Sequence, residues 1–246
     1  MLMNRYQEAV DALFAKIRAT QTDNIIKAGN MIAECVAGGG GVFLSKICHS
    51  IENDLIYRGG GPIFYKRFYA DVNLSMVEGR KRDRSALGYE RKTVADARYA
   101  LQYSNIQPGD ILVVSSVSGR TAAVVDLAWE AVQMGVKVIA FTSMEYARQV
   151  DPVHPSGKKL YEFATLTLDN CAPAAEAMLE VEGIEAKFAA ASGIASDYIM
   201  WSVTSVAVEK MLEMGVTPGI LKSANFPGGN DYNKKVIEPH YDEFGW

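Results

Sequence analysis

Residues 111–121 read Ile-Leu-Val-Val-Ser-Ser-Val-Ser-Gly-Arg-Thr, an apolar run that breaks into a hydroxyl- and glycine-rich turn where a helical pattern begins. The run Ile111 to Val114 is short and mostly β-branched, which suits a strand covered on both faces, as in a parallel sheet. From Thr121 to Met134 apolar residues recur at helical spacing, and Gly135 marks a stop. The turn therefore stands at the carboxyl end of a strand and the amino end of a helix. Ligands of open α/β sheets sit at that point, and the helix offers an anion its first, unpaired N–H groups.

Ser115, Ser116, Ser118 and Thr121 add hydroxyl donors around the same point, Gly119 permits close approach of the backbone, and Arg120 brings a guanidinium that forks onto phosphate oxygens. A phosphate monoester is the expected guest. The same residue types also act as N-caps and turn formers, but their density in 115–121 exceeds what capping requires. The turn has neither the Gly-Lys-Ser/Thr ending of a Walker loop nor the three glycines of the dinucleotide fingerprint, so nucleotide binding is not expected.

Elsewhere, apolar stripes at Tyr6, Val10, Leu13, Phe14 and Ile17, then at Ile25, Ile26, Ile32 and Val36, predict two N-terminal helices within residues 1–36 that pack on the domain or on a partner subunit. Gly38 to Gly41 ends them, and Val42 to Leu44 is a first strand. A helix holding Glu52, Asn53, Asp54 and Tyr57 follows, then a strand within Ile63 to Phe68. Residues 71–98 are charged and mixed, helical in parts. Strands are expected at Lys137 to Thr142 and Ala164 to Leu168, a long helix at Ser192 to Met214, and a loop-like tail over 217–246. Strands alternating with helices at this interval form a parallel sheet with right-handed crossovers. A chain of 246 residues, 49% hydrophobic, suits a single domain spanning 1–246.

A formal net charge of −4 argues against a general nucleic-acid binder, whose surface must be basic. The run Arg80-Lys-Arg-Asp-Arg84, with Arg91 and Lys92 nearby, is a solvated face or a rim that attracts an anionic substrate. Cys35, Cys48 and Cys171 are widely spaced and odd in number, giving neither a disulfide framework nor a zinc knuckle. A reducing cytoplasm is expected. No leader pattern or long apolar run points to secretion or to a membrane partner. His49, Cys48, Glu52 and His154 are metal-compatible types without metal-ligand spacing, so neither metal nor cofactor is expected.

The Ser115-Ser-Val-Ser-Gly-Arg-Thr121 turn, the strand end Val138-Ile-Ala-Phe-Thr-Ser143 and the loop His154-Pro-Ser-Gly-Lys-Lys-Leu-Tyr161 together resemble the SIS (sugar isomerase) domain family, in its phosphoheptose isomerase-like, sugar isomerase-like bacterial branch. The likeness runs over nearly the whole chain, including Ser223-Ala-Asn225. It implies an α/β fold: a three-layer α/β/α sandwich with a mainly parallel five-stranded sheet, flavodoxin-like, plus N-terminal helices. It further implies a homodimer or homotetramer that binds a small-molecule sugar phosphate, with Ser143, His154 and Asn225 among the contacts. One departure stands out. Where the family has small, flexible residues after the first strand, this chain reads Leu44-Ser-Lys-Ile-Cys-His-Ser50. His49 and Ser50 are retained, whereas Lys46 and Cys48 reshape the pocket or, for Lys46, add a phosphate ligand; Ser45 joins the same candidate turn.

Aldose–ketose isomerisation moves a proton between neighbouring carbons through an enediol, and needs a carbon base and a second acid/base group. Glu52 and His49, three residues apart at a strand-to-helix boundary, are the candidates, Glu52 as base and His49 as proton shuttle or ring opener. An acidic residue in a helix's first turn is also favoured by the dipole alone. The alternatives are a phosphosugar-binding regulatory module without turnover, or an aminosugar-phosphate deaminase or lyase. His154 between Pro152 and Pro155 either makes a rigid turn or contacts substrate, and Asn225 either holds a turn or donates to sugar hydroxyls.

Overall fold

The structure, a computed structural model, describes residues 1–70 and 92–245. Five parallel strands form one sheet in the order β2-β1-β3-β4-β5, where β1 is Val42–Leu44, β2 Tyr65–Arg67, β3 Ile111–Ser115, β4 Lys137–Thr142 and β5 Leu166–Asp169. The pairings are in simple register, with Leu44 opposite Val113, Ser115 opposite Phe141 and Thr142 opposite Asp169. After β1 the chain steps outward one way to β2, and after β3 it steps the other way to β4. The switch point therefore lies between β1 and β3, where open α/β sheets leave a crevice at the carboxyl ends.

Alternation along the strands divides the core. Val42, Leu44, Ile111, Val113, Ile139 and Phe141 face one layer of helices, while Phe43, Leu112, Val114, Val138 and Ala140 face the other. The first layer is α1 (Leu2–Ala37) and α6 (Ser192–Glu213); the second is α3 (Lys92–Tyr103) and α4 (Ala122–Gln133). This is the expected α/β/α sandwich. Each fully buried Val, Leu or Ile of β3 contributes about 1.5–3 kcal/mol relative to exposure.

The N-terminal segment differs from expectation. It is one unbroken helix of 36 residues, because the stripe Leu13, Ile17, Gln21, Ile25, Ala28, Ile32 and Val36 keeps a single face buried throughout. The polar stretch from Thr20 to Asn24 that looked like a break stays helical, with the Thr20 and Thr22 hydroxyls donating to the carbonyls of Lys16 and Arg18, at 2.8 and 2.6 Å. At Gly29, α6 comes so close that a Cβ there would lie 2.5 Å from Val206 Cβ. The apolar sides of α6 are thus largely used within the chain, against α1.

Two elements were not anticipated. A hairpin of β6 (Ala177–Val181) and β7 (Ile184–Ala190) projects beyond β5 and packs along the early turns of α1, where Arg5 donates to the Glu180 carbonyl at 2.6 Å. The tail is not simply a loop. It contains α7 (Gly229–Tyr232), a π-helical turn (Asn233–Ile237) and α8 (Glu238–Phe244). Backbone bonds from Gly60 to Leu221 and from Leu221 to Gly61, at 2.7 and 3.0 Å, moor it to the turn that leads into β2. After β1, the expected helix is the short α2 (Glu52–Leu55); Tyr57 lies outside it with φ 59°. Between β4 and β5 come α5 (Met144–Ala147) and a 3-10 turn at Leu160–Glu162. The basic run 80–84 and Arg91 lie outside the described residues, as does most of the charged segment. No helix among the described residues is long and apolar enough to cross a membrane.

Candidate functional site

Two turns meet at the switch point. The one after β3 is organised by Ser116, whose N–H donates to the Phe141 carbonyl at 3.0 Å and whose hydroxyl donates to Thr121 Oγ1 at 3.0 Å while accepting from Thr121 N at 3.3 Å. Gly119 N–H donates to the Ser116 carbonyl at 2.9 Å, and Leu160 N–H donates to that of Gly119 at 2.8 Å. Gly119 sits at φ 68°, and a Cβ there would come within 3.1 Å of Thr142 Oγ1. A side chain fits neither the dihedral nor the space.

That scaffolding leaves the ligand-facing groups free. Among the described residues Ser118 and Arg120 are half-exposed and make no hydrogen bond or ion pair, and the N–H groups of Ser118, Arg120, Ala122 and Ala123 donate to nothing. Thr121, the N-cap of α4, makes no capping bond with its side chain. An uncapped helix start with a free arginine and a free serine is the geometry an anion requires.

The turn after β1 is fastened first. Ser45 donates to the Val113 carbonyl through both its N–H, at 3.0 Å, and its hydroxyl, at 2.9 Å. Ile47 is fully buried beneath it, Lys46 points to solvent, and Cys48 and Ser50 take left-handed φ values of 45° and 77°. Glu52 is buried, and its Oε2 accepts from Ile47 N at 2.9 Å, closing the turn on itself. One carboxylate oxygen is therefore used in holding the loop that carries His49.

Cys48 joins the two turns: its Sγ lies 3.3 Å from Ser115 Oγ and 3.0 Å from Ser196 Oγ on α6. Burial pushes this thiol's pKa up, against the hydroxyls of Ser115 and Ser196, which favour the ionised form. His49 is exposed, and its Nε2 lies 3.5 Å from Oε2 of Glu176, an oxygen that also accepts from Ser192 Oγ at 2.9 Å. Glu176 begins the hairpin from the loop after β5, where Cys171, Ala175 and Glu176 all have left-handed backbone. Strained non-glycine residues thus concentrate on two loops at this end of the sheet, as they do around functional sites.

The structure brings together Ser45, Lys46, His49, Ser50 and Glu52 on one turn with Ser115, Ser116, Ser118, Gly119, Arg120 and Thr121 on the other. It gives two predicted residues other work. Ser143 is fully buried, accepting from Tyr146 N at 3.0 Å to cap α5 and donating to the Ala172 carbonyl at 2.6 Å. His154 is buried between the rings of Trp129 and Phe163 with its Nε2 3.0 Å from Asp126 Oδ1. Asn225 lines a surface cleft with Gly60 and Leu221 that includes no residue of the turn after β3. Sequence reading missed Asn170, Glu176, Ser192 and Ser196. No local pattern marks them, because they reach the site from segments more than a hundred residues after β1.

A cavity of about 840 Å³ opens at the amino ends of the strands, lined by Gly38–Gly41, Lys66, Asp110 and Lys137 among others. One of its carboxylates is already engaged, since Asp110 accepts from Gly41 N at 2.7 Å and Gln107 N at 2.8 Å. The switch point, with free donors and a histidine–carboxylate pair, is the better candidate. Among the described residues no three His, Cys, Asp or Glu side chains gather as a metal site.

Comparisons with known proteins identify the family. Over 98% of its length, this chain is 33% identical to a UPF0309 protein of Streptomyces griseus, covering 96% of that protein, and over 97% it is 30% identical to a UPF0309 protein of Geobacillus kaustophilus, covering 94%. Among solved structures, the phosphoheptose isomerase of Francisella tularensis superposes with a TM-score of 0.52 at 16% identity, covering 83% of this chain and 95% of its own. That of Neisseria gonorrhoeae gives 0.52 at 12% identity, covering 85% and 96%. These likenesses are of fold. A family model for the SIS domain matches residues 5–143, a span that holds both turns of the switch point, and the chain belongs to the SIS domain family.

Proposed function

We propose that this protein binds a sugar phosphate at the β1/β3 switch point and interconverts its aldose and ketose forms. The observation that carries the reading is the convergence of an uncapped, donor-rich α4 start with a histidine–carboxylate pair on the adjacent turn. The phosphate is held by the free N–H groups of 118–123, the Ser118 hydroxyl and Arg120, with Lys46 at the rim. His49 moves the protons, with its Nε2 placed 3.5 Å from the Glu176 carboxylate. A proton leaves the carbon beside the carbonyl, the C–H bonding electrons form the enediolate, a proton passes from the hydroxyl oxygen to the former carbonyl oxygen, and a proton returns to the former carbonyl carbon. The likeness in fold to two phosphoheptose isomerases supports the substrate class.

Glu52, expected as the carbon base, instead takes a supporting part here, holding the turn that presents His49. The same commitment of Glu52 favours a second reading, a phosphosugar-binding module without turnover. One experiment separates the two. The protein is incubated with a panel of sugar phosphates in deuterated water, and label entering the carbon next to the carbonyl is followed by NMR. Exchange with at least one ligand, lost in His49→Asn, is the expected result. Tight binding of a sugar phosphate with no exchange for any member selects the binding module.

A further inference from the structure

The polar cluster under the switch point holds a buried donor that no acceptor meets at ordinary hydrogen-bond distance. Asn170, just past β5, is wholly buried; its N–H donates to the Thr142 carbonyl and its Oδ1 accepts from Ala172 N at 3.1 Å, but among the described residues its Nδ2 makes no hydrogen bond of ordinary length. Such an amide is normally satisfied when buried. As a donor this amide favours the ionised form of the Cys48 thiol, the same sulfur that the hydroxyls of Ser115 and the wholly buried Ser196 approach at 3.3 and 3.0 Å. One amide donor and two hydroxyls, each able to donate or accept, thus surround one sulfur. Cys48 also holds its place at φ 45°, a conformation that disfavours a residue with a Cβ. A buried amide donor left short of an acceptor, beside two hydroxyls and a cysteine on strained backbone, suits an occupant whose oxygen bears negative charge.

We propose that Asn170, Ser196 and Ser115 form an oxyanion-binding subsite for the carbonyl oxygen of the open-chain sugar, and that Cys48 is its cap, turned aside when the ligand enters. As the base takes the proton from carbon, the bonding electrons pass into the new carbon–carbon double bond and the carbonyl electrons onto this oxygen. Donors fixed in advance stabilise that charge more than they stabilise the neutral carbonyl. The subsite rests on the reading of a sugar phosphate at the switch point.

The test measures the affinities of two probes by calorimetry, with thermal melts to verify folding. Inorganic phosphate reports the cradle; a phosphorylated aldonohydroxamate, whose planar oxygens imitate the enediolate, reports cradle and subsite together. Asn170→Asp keeps the acceptor for Ala172 N and removes the free donor; it lowers hydroxamate affinity by about 10- to 100-fold and leaves phosphate affinity within about twofold. Ser196→Ala, the milder variant that decides if Asn170→Asp does not fold, lowers hydroxamate affinity by about 5- to 10-fold with phosphate unchanged. Cys48→Gly, suited to the left-handed backbone, holds or improves hydroxamate affinity. Wild-type hydroxamate affinity in folded Asn170→Asp or in Ser196→Ala, or a tenfold loss in Cys48→Gly, overturns the subsite while the cradle stands. Failure of the unaltered protein to bind either probe overturns the sugar-phosphate reading itself.

Discussion

His49 Nε2 lies 3.5 Å from Glu176 Oε2, joining the turn after β1 to the loop after β5 across the carboxyl edge of the sheet. The Ser192 hydroxyl donates to the same carboxylate oxygen at 2.9 Å and fixes it from the start of α6. A carboxylate held this way stands ready to orient the imidazole through its ring N–H.

Glu176→Gln keeps the shape and removes the charge. Deuterium exchange into a sugar phosphate that turns over is expected to slow on the order of 10²-fold, with the Michaelis constant within about twofold. An unchanged rate in a steady-state assay removes Glu176 from the proton relay.

Gly119→Ala places a Cβ at φ 68° and 3.1 Å from Thr142 Oγ1. The left-handed backbone alone costs about 1–2 kcal/mol, so the urea midpoint falls and phosphate affinity falls with it. Ser118→Ala and Arg120→Ala act on affinity without that loss of stability, because neither side chain has a partner among the described residues. For Ser118 the expected loss in binding is about 1–2 kcal/mol, read by calorimetry with inorganic phosphate. A cradle whose affinity survives all three changes does not hold the phosphate.

His154→Ala separates a structural histidine from a ligand-binding one. The ring is 6% exposed and stands 3.0 Å from a fully buried Asp126 that also accepts from Thr93. Losing one partner of a buried carboxylate, together with the ring's packing on Trp129 and Phe163, lowers stability by about 1–3 kcal/mol. Phosphate affinity, by contrast, stays at the wild-type value; a selective loss of affinity with an unchanged urea midpoint returns His154 to the site.

Alkaline pH weakens the fold through its thiols. Burial, with the nearby charge of Asp110, pushes Cys35 from its ordinary value of 9.0 to about 11, and burial also raises Cys48, Cys171 and Tyr65. The unfolded chain gives up its thiol protons first, so the native state binds more protons between the two values and stability falls as pH rises. The contribution of Cys35 is complete below pH 9 and is lost as pH climbs through about 11. Urea midpoints measured across this window decline, and Cys35→Ala flattens part of the decline; a midpoint constant with pH contradicts the linkage.

Much of the fold is legible in local pattern. Val42–Leu44, Ile111–Ser115 and Lys137–Thr142 are strands because short apolar β-branched runs between turn residues satisfy both faces of a covered sheet. The hairpin at 177–190 carried a signal that went unread, the two-residue Glu182-Gly183 step with Gly183 at φ 81° between strand-forming runs. The single N-terminal helix was obscured for a different reason. Its mid-section is polar, and only packing on α6 shows that Gln21 lies on the buried stripe, its Oε1 accepting from Asp169 N at 3.1 Å.

The turn proposed to hold phosphate is local in the chain: a strand end, a glycine at positive φ and a helix start are contiguous in 111–123, and the free N–H groups of the helix start follow from backbone hydrogen bonding over a few residues. The rest of the site followed from assembly. Glu52 was expected to face the substrate by its spacing from His49, yet the turn folds its carboxylate onto Ile47 N, and the carboxylate that meets His49 comes from residue 176. Asn170 and Ser196 reach Cys48 from β5 and α6 for the same reason. A parallel sheet gathers the carboxyl ends of strands that are far apart in the chain, so the residues converging there are chosen by strand order and helix packing, which no local periodicity encodes.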